Sequence, residues 1–332
     1  MVKKLLLCFI MGTGEPKRKG AVCMYLVDSH CDSIQKVDAG KYGMVNPYNF
    51  SGRCSQLQFV ALFCGWPGEN AEQGYRRASR YADLFRVSMQ KEWERVEQVR
   101  TYPEICRVLS SGKHAALLTM EGGTGIKGDK QILRDFYDLG VRVFGLAWNC
   151  NDLAKSNRVA AGEDTGLTLL GKEIVAEGNR LGMIFDVSHL SDKSFWDLAE
   201  LAQKPMVATH SNFRTLCGDS RNLTDEMARE LIRRGGMIGL NLLPRFLHEE
   251  PAQQTVESLF RHLEYGLSLG AEDCIGFGCD IDGTSGLYPA PLDESAPIHD
   301  RLIDFMLSHN YPQDLVEKVA GGNWLAYLER NL

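Results

Sequence analysis

The chain has 332 residues, of which 44% are hydrophobic and 24% charged, with a formal net charge of −6. That make-up suits a soluble globular protein, long enough for one large barrel or two medium domains. No Lys/Arg block interrupts the acidic balance, which excludes a broad basic face for nucleic acid or anionic membrane and leaves small-molecule chemistry as the expected role.

The first residues, MVKKLLLCFIMG, join two lysines to a short apolar stretch as a secretory signal does, but GEPKRKG follows and no persuasive A-x-A cleavage site appears. Residues 1–22 therefore read as an extension ahead of a single domain spanning 23–332. The ten cysteines are scattered singly, without a CxxC pair. They point to free thiols in a reducing, cytoplasmic setting, with secretion as the weaker alternative. No run approaches the ~20 apolar residues of a transmembrane helix.

From Met24 onward short apolar runs alternate with segments of helical periodicity. The predicted strands are 23–28, 57–64, 115–120, 141–147, 183–188, 206–210, 237–242 and 274–279, eight in all. Between them lie helical patterns such as ILRDFYDLG, LLGKEIVAEGNRLG and EMARELIRRGG, closing on glycines suited to helix C-caps. Residues 68–100, GENAEQ to VEQVR, read as one long polar helix in an enlarged crossover. Strands alternating with helices imply parallel βαβ units, and eight of them fit an α/β fold of the (β/α)8 TIM-barrel type with its site at the C-terminal strand ends. An open doubly wound sheet is the alternative. Its glycine-rich phosphate loop is missing after the first strand, where DSHCDS stands.

The strand ends carry the polar signal. The first leads into His30-Cys31-Asp32, where the two-residue side-chain period turns His30 and Asp32 to one side and Cys31 to the other. The third runs into Glu121-Gly122-Gly123, the fifth into His189, the sixth into His210 and the eighth into Asp280 and Asp282. Singly, each has a structural reading as a hydrogen-bonded histidine, a capping carboxylate or a turn-forming Asp. Their coincidence on one rim favours a site. Histidines with carboxylates suit zinc or a comparable divalent ion, and a carboxylate such as Glu121 can bridge two ions. Paired ions acidify a bridging water. Asp280 is assigned to take its proton and deliver it to a leaving amine, with Asp282 as the alternative, so the implied chemistry is hydrolysis of an amide or related bond. His114, His248, His262, His299 and His309 read as structural or surface residues.

Taken together, DSHCD, LLTMEGG, GLAWNCN, GMIFDVSHLS, ATHSNFRTLCGDSRN and IGFGCDIDG resemble the membrane dipeptidase (renal dipeptidase) family of zinc metallopeptidases, in a bacterial-type form, over nearly the whole chain after Met24. The resemblance implies two Zn2+ ions bridged by Glu121, with His30 and Asp32 on one and His189 and His210 on the other. It also implies that Arg221, eleven residues beyond His210, holds the substrate's terminal carboxylate, in keeping with bidentate guanidinium chemistry. Mammalian members carry a histidine after the fourth strand. Here Trp148 stands in its place and cannot become a cation, which shifts oxyanion and substrate contacts toward the metal, Trp148, and Asn149 or Asn151. The implied activity is hydrolysis of a dipeptide, with a D-residue on its C-terminal side as one option. The expected partner is that small molecule, and a homodimer stays open. Alternatives are a related amidohydrolase acting on N-acyl amino acids or lactones, and a non-catalytic metal- or peptide-binding barrel.

Overall fold

The apolar runs form strands buried on both faces, as parallel strands sheathed by helices must be. A computed structural model describes residues 25–46, 48–160 and 162–332, so the expected extension 1–22 lies outside the described residues. The strands are β1 (Leu26–Cys31), β2 (Gln56–Phe63), β3 (Val96–Val99), β4 (His114–Glu121), β5 (Val143–Gly145), β6 (Ile184–Asp186), β7 (Val207–Ala208), β8 (Met237–Leu240) and β9 (Ile275–Phe277). Neighbouring strands pair in parallel, β1 meets β9, and β2 meets β4. β1, β2 and β4 to β9 thus close into an eight-stranded barrel surrounded by helices, the (β/α)8 fold expected. No helix among the described residues is long and apolar enough to cross a membrane.

Two expectations are corrected. The stretch 68–100 is not one helix: the helix spans Ala71–Lys91, opened by an Asn70–Gln73 capping box. It ends where Glu92 turns its carboxylate onto the Met44 and Val45 amides. The four residues VEQV that follow form β3, too short and too polar to announce a strand. β3 stays outside the barrel. It pairs with β4 over His114–Leu117, while β5 takes Thr119–Glu121 further along.

The second correction concerns the end of β1: the strand expected over 23–28, of which 23 and 24 lie outside the described residues, runs from Leu26 on to Cys31. Its polar half remains strand because the barrel interior gives each group a partner. Ser29 Oγ donates to the carbonyls of Thr209 and Phe277, while Asp28 accepts the Cys279 amide and meets His299 Nε2 at 2.8 Å. The register passes from Asp28 opposite Gln58 to Cys31 opposite Val60, so β1 carries one extra residue. Such a bulge re-aims side chains, here immediately before the rim.

Glu121 closes β4, and the chain then turns at Gly122, whose φ is 103°. A Cβ there would sit 2.0 Å from the Cys64 carbonyl oxygen. Gly122→Ala is therefore expected to destabilise the fold by about 3 kcal/mol through backbone strain and overpacking. Thermal unfolding checks this, and an unchanged melting temperature would contradict it.

Candidate metal centre

Strand ends deliver one cluster. His30 lies in β1 and Asp32 just beyond it, Glu121 ends β4, and His189, His210 and Asp280 follow β6, β7 and β9. All six are buried. Glu121 stands between two sets of groups: its Oε1 is 2.9 Å from His189 Nε2 and 3.5 Å from His210 Nε2, whereas Oε2 is 3.6 Å from His30 Nε2. His30 Nε2 is also 3.8 Å from Asp32 Oδ2 and from Asp280 Oδ1. The Nε2 atoms of His189 and His210 face each other at 2.9 Å.

Three buried atoms at this focus, His30 Nε2, Asp32 Oδ1 and Glu121 Oε2, have no hydrogen-bond partner among the described residues. The ligand atoms of His30, Glu121 and His210, and those of His30, Asp32 and Asp280, lie within 4.8 Å of one another. Imidazole and carboxylate lone pairs converging without donors are what a divalent cation satisfies, so these residues fit a metal site.

The surroundings fix the ligand geometry. Thr209 Oγ1 donates to Asp186 and lies 2.8 Å from His210 Nδ1, which places the ring proton on Nδ1 and leaves the Nε2 lone pair for the cluster. Asp186 also accepts the Ser188 and Thr209 amides. His189 and Asp280 both take left-handed backbone, at φ 72° and 57°.

Arg221 is buried beside the cluster, donating to the His210 carbonyl at 3.1 Å and to Ser211 Oγ at 3.4 Å, and its Nε has no partner among the described residues. Trp148 walls the mouth, packed edge-on against Phe63 and Trp66 with ring centres 5.1 and 5.5 Å away. Asn149 is not brought there. Its Oδ1 accepts the Cys150 amide, and it lines a neighbouring cavity with Glu69 and Lys127. Asn151 is used up in its own loop, donating to Leu146 and accepting from Leu153 and Ala154. Asp282 accepts from Tyr48 at 2.7 Å and Ser33 at 2.8 Å, so its oxygens are committed away from His30.

Residues 22–330 match the membrane dipeptidase family, peptidase family M19. The chain belongs to that family. Among its relatives, a Klebsiella pneumoniae protein of the pqqA 5′ region is 35% identical over 228 residues, 65% of this chain and 81% of its own. Dipeptidase tcpJ of Claviceps purpurea is 31% identical over 248 residues, 74% of this chain and 58% of the fungal protein. A solved Rhodobacter sphaeroides metallopeptidase, liganded with a phosphinate mimic of the dipeptide L-Ala-D-Ala, shares the fold with a TM-score of 0.83 at 26% identity, covering 94% of this chain and 100% of that one. As a member of the membrane dipeptidases the chain is a metallopeptidase, a hydrolase that works with a metal cofactor.

In this dipeptidase-family site burial sets the electrostatics. It raises the Glu121 carboxyl to about 7, against the pull of His30, and the Asp280 carboxyl to about 6, again opposed by His30. Burial alone would lower His30, but Glu121 and Asp32 outweigh it and hold the imidazole well above its usual value. His189 and His210 are driven well below theirs, first by burial and then by the charges of Arg221 and His30.

Some contributors escape the strand-end reading. Asn241 follows β8 and donates to Asp280 Oδ2 at 3.1 Å; it obeys the same rule, yet a search confined to ionisable groups passes over it. Asp186 lies inside a strand run and is legible only once its partner Thr209 is known. Arg158 comes from a loop and Arg245 from the single 3-10 turn Pro244–Phe246, neither with a periodicity to mark it, and both line the mouth.

Cations and protons compete for the same oxygens. Glu121 and Asp280, raised from ordinary values of 4.5 and 3.8 to about 7 and about 6, keep protons in the ion-free fold where an unfolded chain has lost them. Their contribution to ion-free stability is full below the ordinary values and is lost as pH rises through the raised ones. Burial favours the neutral forms of His189 and His210. Zinc is therefore expected to raise the melting temperature more at about pH 8 than at about pH 5. Thermal unfolding with and without zinc measures this, and equal shifts would count against a proton-linked site.

Proposed function

We propose that the protein is a two-zinc dipeptidase that cleaves small dipeptides, including those with a D-residue on the C-terminal side. The observation that carries the reading is Glu121, whose two oxygens face His189 with His210 on one side and His30 on the other. His30, Asp32 and Glu121 would hold one ion, and Glu121, His189 and His210 the second. Such ions supply Lewis acidity toward an amide carbonyl and lower the pKa of water.

The chain's own residues do the rest. Arg221, buried and with no Nε partner among the described residues, offers a guanidinium already stripped of water, suited to a terminal carboxylate. Asp280 has Oδ2 fixed by the Asn241 amide and Oδ1 turned toward His30. Placed between Asn241 and His30 at the edge of the cluster, that carboxylate stands where it can accept a proton from water and pass it to a leaving amine. Asp282, tied to Tyr48 and Ser33, is not assigned this role. Trp148, with Phe63 and Trp66, forms an apolar wall that limits water and leaves a small mouth.

The dipeptide mimic bound by the Rhodobacter metallopeptidase, L-Ala-D-Ala in form, supports both the substrate class and the D-residue. The buried free thiols of Cys31, Cys64, Cys217 and Cys279 support a reducing, cytoplasmic setting.

Asp280→Asn is expected to keep its zinc and lose about a thousandfold in kcat. Metal analysis beside dipeptide kinetics checks it, and retained turnover would remove Asp280 from the proton path. Arg221→Met is expected to lose about a hundredfold in kcat/KM on free-acid dipeptides. C-terminally amidated dipeptides provide the control: wild-type protein that cleaves them as well as the free acids would favour a broader amidohydrolase instead.

A further inference from the structure

The mouth above the cluster carries two arginines that the proposed reaction does not use. Arg158, from the loop after β5, lays its guanidinium over the Trp148 indole at 3.9 Å, and Arg245, just past β8, lies over the Phe246 ring at 4.7 Å. Both line the cleft that holds Glu121, His189, Arg221 and Asp280. Both are exposed. Among the described residues neither has a carboxylate within 4.0 Å.

The two charges lie close enough to feel each other. The Arg158 guanidinium is lowered by burial first and by Arg245 next, with Glu121 opposing. Stacking on an aromatic face orients a guanidinium plane while leaving its N–H edge open for an anion. Two cations lining one cleft, with Glu121 and Asp219 acting on Arg158 only from beyond ion-pair distance, thus offer a receptor for an anion carried by the ligand.

Arg221 lies deeper and shares the Phe246 ring with Arg245, at 5.4 Å from its centre. If Arg221 takes the terminal carboxylate, the group beside it that reaches the outer wall is the side chain of the same C-terminal residue. We propose that Arg158 and Arg245 form a second carboxylate subsite, selecting dipeptides that end in Asp or Glu. This inference rests on the dipeptidase reading above.

The test compares zinc-loaded full-chain protein on Ala-Glu and Ala-Asp with Ala-Gln and Ala-Asn, each with either stereochemistry at the C-terminal residue. The amides keep size and shape and remove only the charge. Wild-type kcat/KM is expected to favour acid over amide by about tenfold, the scale of one charge-assisted hydrogen bond. In the Arg158→Met/Arg245→Met double variant that ratio is expected to fall toward one, with zinc content and melting temperature showing that the fold is intact. Amides cleaved as fast as acids by the wild type, or a ratio unchanged in the variant, would overturn the subsite alone. No cleavage of any of these dipeptides would overturn the dipeptidase reading and the subsite with it.

Discussion

Three carboxylates, Asp32, Glu121 and Asp280, are buried around one imidazole, and so much negative charge cannot stay ionised in a pocket of low dielectric without positive charge to match it. The protein relieves only part of the conflict with donors of its own: Asn241 reaches Asp280, while Asp32 Oδ1 and Glu121 Oε2 have no partner among the described residues. A surface site would dissolve the problem in water. This one keeps it sharp, which is the physical reason for reading the cluster as a place where cations belong.

Holding such a cluster in register demands rigidity, and the barrel provides it through a few buried carboxylates. Asp28 accepts the amides of His30 and Cys279 and meets His299, so one side chain ties β1 to the end of β9 and to the helix Ile298–Ser308. Asp186 does the same between β6 and β7, through the Ser188 and Thr209 amides and the Thr209 hydroxyl. Neither belongs to the cluster around Glu121. Each immobilises a segment from which candidate ligands project, and removing either would loosen two strand ends at once.

The barrel and the six clustered side chains were legible because both follow from one local rule. Apolar runs become strands, and polar residues at their C-terminal ends meet on one rim, as His30, Glu121, His210 and Asp280 do. What escaped the sequence was whatever depends on a partner distant in the chain. β3 is strand only because β4 offers an edge to its four residues, and Ser29 and Asp28 remain in β1 only because Thr209, Phe277 and His299 wait inside the barrel. Asn149 stands apart from the cluster for a similarly local reason, its amide oxygen being drawn onto the next backbone N–H. The arginines on the mouth were invisible because no periodicity marks a loop, and aromatic stacking is a matter of space.

The left-handed backbone at His189 and Asp280 bears on how this barrel can change through time. Among residues with a side chain, Asn, Asp and His are those that enter this region most readily. Asparagine is one base away from both histidine and aspartate in the genetic code, so one of the single-base steps open at either position removes an ionisable group while leaving the chain path comfortable. Changing the side chain and keeping the shape are therefore adjacent states here, and a lineage can cross between them without passing through an unfolded barrel.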